Sequence, residues 1–256
     1  MRPKRSLSQN YLQDPNIARK IAGMLRAADA DHVVEVGPGR GMLTTFLEER
    51  FGERLTLVEV DAASVAWLRE RFPALAPRIV EADFLKYPLP EGRVALIGNF
   101  PYHITSPIFF RVLEYRDRVT EVVAMVQREV AQRLAGRPGT KEYGLLSVLL
   151  QTFYEVKYLF TVGEQVFYPR PKVKSAVLRL ERNGREKLPC DEEYYFRLVR
   201  QAFGQRRKTL RNALREMLPS RPLPEEMLGK RAEQLSPADY LELCRALQEQ
   251  EDERTS

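Results

Sequence analysis

The chain has 256 residues, with 41 lysines and arginines against 35 aspartates and glutamates, a formal charge of +6. That length suits one large domain plus a small one, and the modest positive balance is compatible with nucleic acid without requiring it. Two widely separated cysteines (Cys190 and Cys244) and two scattered histidines argue against a disulfide framework, a metal site and a Ser/His/Asp triad. No stretch has the apolar length of a membrane span, so a soluble, cytoplasmic protein is expected.

Residues 1–13 form a polar, basic arm that closes on Asn10-Tyr11-Leu12. Asp14 then reads as an N-cap with Pro15 at the first helical position. The β-branched run Val33, Val34 and Val36 predicts a buried strand. It stops at Gly37-Pro-Gly39-Arg-Gly41, after which Met42, Leu43, Phe46 and Leu47 recur at helical spacing. Strand, glycine turn and helix open a nucleotide-binding βαβ unit, where missing Cβ atoms let ligand and backbone approach closely.

Further strands are predicted at Leu55–Val60, Ile79–Val80, Val94–Ile97, Val119–Val126, Tyr154–Val162 and Ser175–Leu180. Helices alternate with most of them. This pattern predicts an α/β fold with a mostly parallel sheet and helices on both faces. A charged, breaker-containing stretch from Glu181 to Asp191 reads as a linker. Beyond it, helices are predicted over Glu192–Phe203, Thr209–Met217 and from Ser236-Pro237 to Leu247, the last opened by a Ser236/Asp239 capping pair. The expected domains are therefore residues 1–183, catalytic, and 184–256, small and all-helical.

In open α/β sheets, ligands bind beyond the carboxyl ends of the strands. Four predicted strands deliver a polar group there: Glu35 with the glycine turn, Glu59 with Asp61, Asp83, and Asn99. Glu59 lies about 20 residues past the glycines, where an acid that holds a ribose hydroxyl falls. That acid suits a nicotinamide or an adenosyl cofactor equally. Asp83 can accept an exocyclic amino group, such as that of adenine, and Met42 stands where a dinucleotide fingerprint needs its third glycine. The pocket is read as binding S-adenosylmethionine.

Asn99-Phe100-Pro101-Tyr102 carries the most specific chemistry. An amino group on an aromatic ring is a poor nucleophile because its lone pair is delocalised. The Asn99 side-chain oxygen and the Phe100 carbonyl can hold its two protons and turn the lone pair outward. Pro101 stiffens the turn, and Tyr102 can stack on the base. Phe167 offers a second aromatic face.

These segments, together with Met125–Ala131, Phe167–Ser175 and Phe203–Leu210, closely resemble the small-subunit ribosomal RNA adenine N6-dimethyltransferases of the KsgA type, over nearly the whole length. The resemblance implies a class I, Rossmann-like methyltransferase domain with a seven-stranded sheet and a helical C-terminal domain. It implies dimethylation of two adjacent adenosines in a hairpin near the 3′ end of 16S rRNA in the small ribosomal subunit. It places the cofactor on Asn10, Leu12, Gly37, Gly39, Glu59, Asp83 and Asn99, and the target base on Asn99 through Tyr102 with Phe167. The arm is then part of the cofactor site rather than a frayed end. Phe100 departs from the leucine more usual there, and its bulk bears on how many methyls are added.

The basic cluster Arg206, Arg207, Lys208 and Arg211 is expected to contact RNA phosphates, with Arg215 continuing a helical face shared by Arg207 and Arg211. Arg2–Arg5 and Arg170–Lys174 are expected to join it. A monomer is expected. Two rival readings are an RNA-binding assembly factor with a vestigial pocket and a nicotinamide-dependent oxidoreductase. Intact Glu59, Asp83 and Asn99 weigh against the first, and Met42 against the second.

Overall fold

The computed structural model describes residues 10–218 and 225–255, without the side chains of 225 and 250–255. Nine strands are present among them: β1 (Tyr11–Leu12), β2 (His32–Val36), β3 (Leu55–Glu59), β4 (Ile79–Glu81), β5 (Val94–Asn99), β6 (Val119–Gln127), β7 (Tyr154–Val162), β8 (Phe167–Tyr168) and β9 (Ser175–Arg182). The helices are α1 (Pro15–Met24), α2 (Thr44–Phe51), α3 (Ala62–Arg71), α4 (Thr105–Glu114), α5 (Arg128–Leu134), α6 (Leu145–Phe153), α7 (Glu192–Gly204), α8 (Leu210–Ala213), α9 (Glu225–Leu228) and α10 (Pro237–Thr255).

Seven strands make one sheet in the order β4-β3-β2-β5-β6-β9-β7. The strands β4, β3, β2, β5 and β6 run parallel, and β9 is antiparallel to β6. All seven were predicted. The central parallel strands β2, β5 and β6 are mostly apolar because a parallel sheet covered by helices is buried on both faces; Val94 through Ile97, for example, are fully buried, whereas β7 at the sheet edge is mostly half-buried and carries Glu155 and Lys157. The chain leaves β2 toward β3 on one side and returns to β5 on the other. That reversal is the crevice where open α/β sheets take their ligands.

Two compact units emerge. The first comprises the described chain up to Ala131 together with Glu155–Arg182; the second comprises Gln132–Tyr154 and the chain from Asn183 onward. The expected boundary at 183/184 lies one residue from this break. The expected domains, however, left Gln132–Tyr154 with the sheet, whereas it groups with the C-terminal helices. The apolar helix α6 supplies the reason: its Thr152 Oγ1 lies 2.6 Å from the Tyr195 hydroxyl of α7, and Asn183 Nδ2 donates to the Thr152 carbonyl at 3.1 Å.

Within the first unit, α1 starts as predicted, with Asp14 Oδ1 accepting from Asn16 N at 2.8 Å and Ile17 N at 3.1 Å. The ribbon β1–β8 was not foreseen. It is antiparallel, with Tyr11 opposite Tyr168 and Leu12 opposite Phe167. Directly opposed residues share a face. Leu12 and Phe167 therefore turn together into the hydrophobic core, while Tyr168, partner of Tyr11, is 54% exposed.

Within the second unit, α7 matches its predicted span closely, whereas α10 starts where predicted but runs on past Leu247 to Thr255, and the Ser236/Asp239 pair forms a reciprocal cap, with Ser236 N donating to Asp239 Oδ2 at 2.7 Å and Asp239 N to Ser236 Oγ at 3.1 Å. The helix predicted over Thr209–Met217 shortens to Leu210–Ala213 flanked by turns. Arg207 and Arg215 thus lie outside α8, and the continuous helical face expected for residues 207, 211 and 215 does not form.

Candidate active site

A cavity of about 260 Å³ opens at the carboxyl ends of β2, β3 and β5 and the segment after β4. Asn10, Leu12, Gly37, Glu59, Asp83 and Asn99 all line it, as do Phe100, Pro101 and Tyr102. Gly39 does not line it but acts through its backbone, and Phe167 sits instead in the core beside Leu12, 4% exposed. The size lies close to the lower bound of about 300 Å³ for small-molecule sites.

The glycine turn shapes one wall. Gly37, Gly39 and Gly41 have φ of 65°, 57° and 76°, the left-handed region that other residues enter at a cost. Gly39 is constrained twice, because a Cβ there would lie 2.9 Å from the Tyr11 ring. The Tyr11 ring packs over this turn with the Arg40 guanidinium 4.9 Å from its centroid, and its hydroxyl bonds to Ser64. Burial pushes that phenol's pKa up. Tyr11, Arg40 and the half-exposed Val60 all line the cavity, and none was singled out from sequence. For Tyr11 and Arg40 the available signal was their position: Tyr11 between Asn10 and Leu12, and Arg40 inside the glycine turn.

Glu59 is buried at the end of β3, yet both its oxygens are satisfied. Oε2 accepts from Gly39 N at 3.0 Å and Oε1 from Asp61 N at 2.9 Å. Burial raises its pKa, and these backbone donors oppose the rise. Glu35, one strand over, is more deeply enclosed; Thr44 Oγ1 donates to its Oε2 at 2.7 Å. Burial, reinforced by the neighbouring Glu59, pushes Glu35 up to about 8, against the lowering effect of Thr44. Asp83 Oδ1 accepts from Leu85 N at 2.9 Å, which fixes the carboxylate at the rim.

On the opposite wall, Asn99 ends β5. Its Nδ2 donates to the backbone carbonyl of Asn10 at 2.9 Å, joining the arm to the Asn-x-Pro-aromatic turn. Phe100 N donates to Met125 O at 3.0 Å, and its ring is fully buried, edge-on to Phe109 with centroids 5.8 Å apart. The bulk of Phe100 is thus directed into the core rather than into the cavity. Pro101 O accepts from Thr105 Oγ1 at 3.1 Å and Ile104 N at 3.2 Å, closing the turn. The Tyr102 ring is half-buried, its hydroxyl 2.7 Å from Ser175 Oγ.

Three carboxyl groups and one guanidinium line this cavity. Carboxyl groups accept from ribose hydroxyls and an adenine amino group and favour a cationic centre. Among the described residues no cluster of His, Cys, Asp or Glu is arranged to hold a metal, and no helix is long and apolar enough to cross a membrane.

In the second unit, the predicted RNA-contacting residues have different surroundings. Arg206 Nη2 donates to the carbonyls of Lys141 at 2.7 Å and Tyr143 at 3.0 Å, and its Nε lies 3.7 Å from Glu233. It ties the loop before α6 to the unit. Arg207, Lys208 and Arg211 are exposed. Arg2–Arg5 lie outside the described residues.

The sheet order, the cavity at its switch point and the Asn-x-Pro-aromatic turn define a class I, Rossmann-like methyltransferase. The model of the ribosomal RNA adenine dimethylase family matches residues 1–249. The ribosomal RNA small subunit methyltransferase A of Porphyromonas gingivalis is 50% identical over 256 residues, which is 97% of this chain and 99% of the relative. The chain belongs to the ribosomal RNA adenine dimethylase family. A dimethyladenosine transferase from Plasmodium falciparum shares the fold, with a TM-score of 0.80 at 22% identity over 94% of this chain and 98% of that one. The 23S rRNA methyltransferase ErmE gives 0.72 at 27% identity over 94% and 100%.

Proposed function

We propose that this methyltransferase takes S-adenosylmethionine as donor and acts as a monomer in the cytoplasm. Its products are dimethylated at N6 of two adjacent adenosines, in the hairpin near the 3′ end of 16S rRNA in the small ribosomal subunit or its precursor. The observation that carries this reading is the Asn99 Nδ2 bond to the Asn10 carbonyl. With its amide nitrogen committed there, Asn99 is left with its oxygen as an acceptor for an exocyclic amino group. The Phe100 carbonyl is the second acceptor, and Pro101 keeps the two in fixed relation.

When bound, S-adenosylmethionine supplies an electrophilic methyl on a positively charged sulfur. Glu59 accepts from the ribose hydroxyls, Asp83 from the adenine amino group, and Gly37, Asn10 and Leu12 shape the remainder. Attack on a cationic donor would depend mainly on placement; it would leave a neutral thioether, and the proton shed by the methylated nitrogen would pass to solvent at the cavity mouth. The target adenine must leave its stack to reach Asn99, at a cost of roughly a few kcal/mol. Tyr102 recovers part of this by stacking. Phe167 joins the base only if the β1–β8 ribbon turns it out of the core. The small subunit is preferred to the large as target because the relative with half its residues in common carries that target in its name.

The test uses small subunits from cells lacking the protein and a labelled methyl donor. Wild-type protein labels their rRNA, and Asn99→Ala protein transfers nothing. Equal labelling by both proteins would refute the assignment.

A further inference from the structure

Ser175 does not line the cavity. It is fully buried at the first position of β9, opposite Gln127 at the end of β6, and the adjoining Lys174 carbonyl accepts from Arg128 N at 2.9 Å. Backbone pairing on β6 thus holds the Ser175 hydroxyl in a fixed place. That hydroxyl lies 2.7 Å from the hydroxyl of Tyr102, whose ring forms part of the cavity wall. Tyr102 itself sits in a single 3-10 turn, Tyr102–Ile104. The bond to Ser175 anchors the half-buried ring at its tip as well as at its backbone.

We propose that Ser175 is a positioning residue, holding the Tyr102 phenol so that the ring stands ready as a stacking wall for the extruded adenine. This rests on the methyl-transfer reading above. A free tyrosine ring would have to be ordered each time a base enters, and the tether removes that cost from the binding step. The contact also couples two segments 73 residues apart, the Asn-x-Pro-aromatic turn and the start of β9.

A neutral hydrogen bond of ordinary strength corresponds to roughly a three- to tenfold effect. Ser175→Ala is therefore expected to lower kcat/KM for the rRNA substrate about three- to tenfold and leave the dissociation constant of S-adenosylmethionine unchanged. Tyr102→Phe, which keeps the ring and loses the tether, should match it. The double variant should be no worse than either single one, because both remove the same contact. Independently of turnover, NMR of ring-labelled tyrosine should show one ring ordered in the wild type and mobile in Ser175→Ala.

Additive losses in the double variant, or an unchanged ring signal, would overturn the tether. So would a Ser175→Ala protein whose thermal midpoint falls while its kinetic constants stay put. Should Ser175→Ala not fold, Tyr102→Phe decides by the same kinetics together with NMR of ring-labelled phenylalanine: a mobile ring at position 102 with lowered kcat/KM supports the tether, and wild-type kinetics overturn it. If wild-type protein labels no rRNA, the functional reading fails while the ring measurement still reports on Ser175.

Discussion

Replacing Glu59 with glutamine isolates the charge at the centre of the cofactor wall. The side chain accepts two backbone donors, Gly39 N at 3.0 Å and Asp61 N at 2.9 Å, one on each oxygen. An amide presents one oxygen and one NH2, so either rotamer sets a donor against a donor. One charge-assisted hydrogen bond, about 1.5–3 kcal/mol, is lost. Against this, a neutral amide is cheaper to bury than a carboxylate whose pKa burial already raises. The two effects oppose each other, so fold stability should fall by less than the lost bond alone would cost. The proposed cofactor contact has no such offset, because ribose hydroxyls held by Glu59 would exchange a charged acceptor for a neutral one. Calorimetric titration should show S-adenosylmethionine binding weakened about 10- to 100-fold, or roughly 1.4–2.7 kcal/mol, in a protein that remains folded. Affinity within twofold of wild type would refute the placement of the ribose on Glu59.

Other outcomes follow from neighbouring groups. Glu35 sits near 8 in the fold against an ordinary value of 4.5, so between those limits the folded chain holds a proton that the unfolded chain has lost. Stability should fall as pH rises from about 4.5 to about 8. Glu35→Gln should flatten that slope and be the more stable protein at pH 8, by on the order of a few kcal/mol at most; matching slopes in urea titrations would contradict it. Arg206→Ala should lower the thermal midpoint, because the carbonyls of Lys141 and Tyr143 exchange their donor for water, at about 0.5–1.5 kcal/mol. Arg207→Ala with Lys208→Ala should leave the midpoint alone and reduce the salt dependence of RNA binding. An unchanged salt slope would remove these two residues from the interface.

Much of this protein can be read in its sequence where local chemistry is sufficient. The β-branched run ending at Gly37 gives both a buried strand and its turn, Asp14 and Ser236 announce their caps, and acids placed after successive strands converge because a parallel sheet brings those ends together. Tertiary information was needed elsewhere. The strands Tyr11–Leu12 and Phe167–Tyr168 are too short for any periodicity, so nothing local states that Phe167 faces the core with Leu12 while Tyr168 faces outward. Arg206 looks like one more cation in a run until its two carbonyl partners, 65 and 63 residues away, are seen. Gln132–Tyr154 follows the parallel strands in sequence but groups with helices that come later, a long-range preference that composition does not reveal.

The proposed reaction sets an activated methyl in the cavity against an adenine amino group held by Asn99. Mass spectrometry of nuclease fragments from small subunits methylated in vitro tests it most directly. Dimethyladenosine at two adjacent positions near the 3′ end of 16S rRNA, absent when Asn99→Ala protein is used, is the predicted result. Methyl groups on another base or on a ring carbon, or the same two adenosines modified by the Asn99→Ala protein, would contradict it.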